Sequence, residues 1–106
     1  MSDRKLLELA AKAAGIPLVR LEPETVWDTG HITRAGWNPL ADDGDALRLA
    51  VKLRLSAYHA PQGWLLLMNP DGSTASRVDF GDESERLVAT RRAITRAAAE
   101  IGKGMP

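Results

Sequence analysis

Trp37-Asn38-Pro39-Leu40-Ala41-Asp42-Asp43-Gly44-Asp45-Ala46-Leu47-Arg48-Leu49-Ala50-Val51-Lys52-Leu53 is the segment that says most about the architecture of this chain. Pro39 keeps Asn38 out of the helical region, so the chain turns here, with Trp37 burying the entry to a helix. That helix starts near Asp42 or Asp43 and is predicted to run to about Leu55. Leu47, Ala50, Val51 and Leu55 form its expected apolar stripe, widened by Ala46 and Leu53. Asp42-Asp43-Gly44-Asp45 does not have the alternating carboxylates of a calcium loop, and the later bidentate Glu is missing. An Asx turn plus an N-cap accounts for the cluster, with the remaining carboxylate favoured by the helix dipole.

Toward the N-terminus, Asp3 to Ala14 reads as a first helix with Leu6, Leu9, Ala10 and Ala13 on one stripe. Ser2 or Asp3 caps its start, and Gly15 followed by Pro17 stops it. Leu18 to Leu21 suggests a short strand. Thr25-Val26-Trp27 and His31-Ile32-Thr33 flank Asp28-Thr29-Gly30 as a hairpin would. Pro23 places this region at a sheet edge or in a loop.

After the second helix, Ser56 to Ala60 and Gly63 to Asn69 read as strands. Trp64-Leu65-Leu66-Leu67-Met68 is short and continuously apolar, which predicts a central strand buried on both faces, with Trp64 in the core. Asn69-Pro70-Asp71-Gly72-Ser73 is a turn, and Thr74 to Phe80 alternates as a half-exposed partner strand. A last helix is expected from Asp82 or Ser84 to Gly102. Asp82 and Glu85 resemble a capping box, and Gly102 with Lys103 a stop. Leu87, Ile94, Ala97, Ala98 and Ile101 form its stripe.

Strands joined by tight turns are antiparallel, so the order predicts an α+β fold, a small antiparallel sheet covered by three helices as an α/β/α sandwich. The 106 residues suit a single domain spanning 1–106. The 14 basic and 14 acidic side chains cancel, so no global field draws the chain to nucleic acid or an anionic membrane. Cysteine is absent, which excludes disulfides, a thiol nucleophile and thiolate metal sites. The N-terminal Ala/Leu stretch is interrupted by Glu8 and Lys12, unlike a signal peptide or a membrane span. The expected location is the cytoplasm.

Catalytic motifs are weak throughout. His31 and His59 are the only histidines; either would need a nucleophile and an orienting carboxylate brought to it in space. Ser73 has no G-x-S-x-G context, and Gly102-Lys103-Gly104 is no phosphate loop. Basic residues concentrate on the last helix, where Arg92 and Arg96 are four apart and Arg91 adjoins them. Such a face suits phosphates or an acidic partner, or is a solvated outer surface. Trp37 is expected to anchor its turn. Trp27 sits in the expected edge hairpin, and tryptophan is enriched at binding hot spots.

Three blocks carry a family resemblance: Lys5 to Gly15, Trp37-Asn38-Pro39-Leu40 with Asp42 to Ala46, and Arg91-Arg92-Ala93-Ile94 with Arg96 to Gly102. Together they resemble small uncharacterised proteins of tailed bacteriophages and prophages of proteobacteria, described as the phage α-β-α sandwich domain. That family has no agreed activity, cofactor or catalytic residues, so the resemblance implies a fold and a phage setting and no more. The stretch from Ile16 to Gly36 is individual to this chain.

The expectation is a small non-catalytic accessory protein that binds a host or phage protein, with no cofactor. Trp27, His31, Arg91, Arg92 and Arg96 are its candidate interaction surface. Nucleic-acid binding through the three arginines ranks second. A small hydrolase or nucleotide-processing enzyme built on His31 or His59 ranks third. Homodimerisation is compatible with each, since a short sheet has edges to protect.

Overall fold

Ser2 opens the first helix: its side chain accepts the Lys5 N–H at 3.2 Å, and α1 runs from Asp3 to Ala14. Gly15 ends it in the left-handed region at φ 73°, and the Ile16 N–H returns to the Ala11 carbonyl at 2.9 Å. This is a glycine stop that closes the orphan carbonyls of the last turn. The computed structural model describes residues 2–16 and 37–106. The expected strand at Leu18 to Leu21 and the hairpin around Asp28-Thr29-Gly30 lie outside the described residues.

The second helix, α2, spans Asp43–Leu53, and Asp42 is its N-cap, accepting the Asp45 N–H at 2.8 Å. Asp45 in turn reaches back: its Oδ2 accepts the Asn38 N–H at 2.9 Å, while Asn38 Oδ1 accepts the Leu40 N–H at 3.0 Å. The acidic cluster is thus the fastening of a turn to a helix start. It also sets the helix phase. Asp45 is drawn inward, so Ala46, Leu49 and Ala50 are buried with it. Leu47 and Val51 lie about 200° around the helix from Leu49, and both are exposed rather than on the buried stripe expected for them. The helix also stops before Leu55, because Arg54 takes a left-handed conformation at φ 57° and closes the end.

Three strands come next: β1 (Ser56–His59), β2 (Trp64–Met68) and β3 (Thr74–Asp79), antiparallel in the order β1-β2-β3. Tyr58 pairs with Leu66, and Leu66 with Arg77. A register shift between Leu67 and Met68 gives β3 an extra residue there, so the alternation expected along Thr74 to Phe80 is broken by a bulge. Leu65 and Leu67 are fully buried, whereas Trp64, Leu66 and Met68 are half-buried. The central strand is therefore covered completely on one face only, and Trp64 belongs to the other.

The third helix, α3, spans Arg86–Lys103 after a 3-10 turn at Glu83–Glu85. Asp82 caps that turn through the Ser84 N–H at 3.1 Å, so the expected capping box serves the turn rather than the long helix. α3 is the hub: it packs extensively on α1, and also on α2, β3 and β2. An antiparallel sheet with three helices, α+β, is the resulting architecture.

The α1–α3 seam is built of small residues. Ala10, Ala11, Ala93, Ala97, Ala98 and Gly102 are all buried. Gly102 is not the stop expected of it; the helix continues through Lys103 and Gly104 follows as the cap. A Cβ on Gly102 would overlap the Leu9 carbonyl, so only glycine allows the two backbones this close. Gly102→Ala should therefore destabilise the fold by about 2 kcal/mol or more, the overlap outweighing the better helix propensity of alanine. Gly104→Ala, whose new methyl meets nothing nearer than 3.7 Å, should stay within about 0.5 kcal/mol. Urea denaturation of the two variants checks both values.

Candidate functional site

Each arginine near the start of α3 is attached to a different part of the fold. Arg86 donates from Nη2 to the Ala60 carbonyl at 2.8 Å, where the chain leaves β1, and from Nε and Nη2 to Glu83. Its guanidinium also lies 4.6 Å above the Phe80 ring. Arg91 donates to the Leu40 carbonyl at 2.9 Å and to Asp43 at 2.6 Å, tying α3 to the turn and start of α2. Arg92 makes a two-pronged contact with Asp3 at 3.1 and 3.2 Å, tying α3 to the start of α1.

This is where the structure places the basic face singled out from the sequence. Arg91 and Arg92 are engaged within the fold, and Arg96 lines a separate cleft together with Leu6, Ser76 and Glu100. Arg96 is exposed, one helical turn from Arg92. Trp27 and His31 lie outside the described residues.

His59, the other histidine, lies at the mouth of a cleft of about 470 Å³ with Glu83, Ser84, Leu87 and Thr90. Its Nδ1 is 3.3 Å from Arg86 Nη1. Arginine only donates, so in this contact Nδ1 is the acceptor. Arg86 thus occupies the position at Nδ1 where a catalytic histidine would meet an orienting carboxylate. Bonding to Arg86 holds the Glu83 carboxyl below its ordinary range, and Glu83 in turn raises Arg86. Among the described residues, no group of three or more His, Cys, Asp or Glu side chains is placed to hold a metal ion.

The feature that sequence reasoning missed is apolar. Leu87 lines the His59 cleft on one side and a second, smaller groove on the other, shared with Ala46, Leu47 and Ile94. Leu47 is 64% exposed and Leu87 60%, and Val51 and Val88 are exposed as well. The two clefts join across Leu87 and Thr90 into one apolar surface over the start of α3 and the outer side of α2. A period count assigns Leu47, Val51 and Leu87 to the core. Only the inward pull on Asp45, through its hydrogen bond to the Asn38 backbone, reveals that α2 is turned the other way.

The half-buried face of the sheet that carries Trp64 holds an aromatic group. Arg77 stacks 4.4 Å above the Trp64 ring, Tyr58 sits 5.7 Å from it, and Asp79 pairs with Arg77 at 3.1 Å. The basic group of this cluster is neutralised by its neighbour. At the β2–β3 turn, bonds from Ser73 lower the Asp71 carboxyl.

No family model, curated protein or solved structure matches the chain.

The Glu83–Arg86 contact has a pH consequence. A depressed folded-state value means that Glu83 adds stability above its unfolded value and loses that contribution as pH falls through the folded one. The thermal midpoint of the protein should exceed that of Glu83→Gln at neutral pH, and the gap should close on acidification. Parallel melts of the two proteins across the acidic range check the sign.

Proposed function

We propose that the chain is a non-catalytic protein-binding module, a small phage or prophage accessory protein that docks a host or phage protein in the bacterial cytoplasm. The observation that carries this reading is the apolar surface of Leu47, Val51 and Leu87. Large aliphatic side chains stand outside, while the helix seam within is made of alanine and glycine. Contiguous exposed apolar surface rimmed by polar groups is the usual mark of a partner site.

Two further observations favour this reading over its rivals. Arg91 and Arg92 are committed to internal contacts, which weakens a phosphate-binding face. His59 meets an arginine rather than a carboxylate, which weakens a general-base role. No helix among the described residues is long and apolar enough to cross a membrane. The phage setting rests on the resembling sequence blocks.

Leu87→Glu places a charge on this surface without touching the interior, so stability should change by no more than about 0.5 kcal/mol. The immobilised protein should retain one saturable protein from a lysate of infected cells, with or without nuclease, and Leu87→Glu should lose it. Retention that disappears with nuclease would overturn the reading in favour of nucleic acid.

A further inference from the structure

The two ends of the apolar groove are built alike. At one end Arg91 donates to a backbone carbonyl and to Asp43; at the other Arg86 donates to a backbone carbonyl and to Glu83. In both pairs the guanidinium is tucked in and the carboxylate left out. Arg91 and Arg86 side chains are 17% and 18% exposed, against 60% for Asp43 and 71% for Glu83. At both ends the carboxylate is therefore the more exposed partner of a pair that is neutral as a whole.

The spacing of these carboxylates comes from the helix geometry. Asp43 meets Arg91, and Leu47 shares a groove with Leu87, so α2 and α3 run antiparallel along it. Glu83 lies eight positions before Arg91 on α3 and its preceding turn. Glu83 thus lies roughly 13 Å along the groove from Arg91, the partner of Asp43, counting about 2.0 Å per residue through the 3-10 turn and about 1.5 Å through α3, a little over two turns of a helix. Between the two carboxylates stand Leu47 and Leu87, with Val51 one turn beyond Leu47 on the same side of α2.

We propose that the occupant of this groove is a basic amphipathic helix of the partner protein. Its apolar ridge packs between Leu47 and Leu87, and two lysines or arginines about two turns apart, one at each end, meet Asp43 and Glu83. The proposal rests on the reading of the groove as a docking site and adds the chemistry of what docks. Rim carboxylates of this kind select the partner by charge and speed its encounter, while the leucines supply most of the affinity.

The test uses the full chain and two labelled helical peptides of equal length. One carries a leucine ridge flanked by lysines two turns apart; the other has glutamates in place of the lysines. Fluorescence anisotropy should show the Leu/Lys peptide binding about tenfold tighter than its Leu/Glu counterpart. Asp43→Asn and Glu83→Gln keep an acceptor for their arginines, and each should weaken the Leu/Lys peptide about two- to fivefold. High salt should erase that effect, and Leu87→Glu should abolish binding of the Leu/Glu peptide and sharply weaken the Leu/Lys one. Circular dichroism confirms that each variant is folded. Equal binding of the two peptides, or unchanged affinity in both amide variants, overturns the basic-helix proposal. Docking itself survives if binding still depends on Leu87. Failure of both peptides to bind, while a lysate protein is still retained through Leu87, also overturns the helix and spares the docking site. Concentration-dependent self-association that Leu87→Glu abolishes makes a second copy the occupant and overturns both.

Discussion

Gly102 lets the last helix meet the first at backbone distance, and the rest of the structure is arranged around that contact. The Leu9 carbonyl occupies the space where any side chain at this position would be. With alanines along the rest of the seam, α1 and α3 form one thick unit with little bulk inside it. The larger apolar volume is supplied from elsewhere by Leu7, Trp37, Leu49, Leu65, Leu67, Phe80 and Ile94, which share one cluster with the seam. Close-packed interiors tolerate little change in volume at such contacts.

The same geometry explains why the start of α3 is left open. Asp3 meets Arg92, so α1 begins only beyond the first turns of α3. α2 covers part of that region, but its phase is governed by Asp45 and Asn38 and turns Leu47 and Val51 outward. Three arginines then hold α3 to β1, α2 and α1 in turn. Exposed ion pairs contribute little individually, about 0–1 kcal/mol. Arg86 and Arg91 matter more for the backbone carbonyls of Ala60 and Leu40, which they supply with donors. What remains is a ridge of aliphatic side chains with a carboxylate at each end.

Local signals in the sequence were legible because they depend on near neighbours. Ser2 and Gly15 bound α1, Asp42 caps α2, and the turn around Gly72 joins β2 to β3, all as their residue types dictate. The antiparallel order came from those short connections. Long-range effects were not legible. Gly102 reads as a stop by its type and position, yet its role is set by Leu9, far away in the chain. Leu47, Val51 and Leu87 fit a period of 3.6, but periodicity does not state which side of a helix faces inward. Trp64 looks like core in a run of leucines; the sheet has helical cover over the face of Leu65 and Leu67, and Trp64 alternates to the other. The arginines of α3 stand close together in the sequence, but the carboxylate partners of Arg92, Arg91 and Arg86, which are Asp3, Asp43 and Glu83, come from three separate segments. Only folding brings them together.

Contact between the surface around Leu87 and a protein partner is best tested inside cells. A photo-crosslinking residue goes at position 87, with position 73 at the end of the β2–β3 turn as control. One discrete, nuclease-resistant protein adduct is expected from position 87 and none from position 73. The same adducts from both positions, or none from position 87 while a position near Arg96 crosslinks to nucleic acid, would contradict a protein-docking role for this surface.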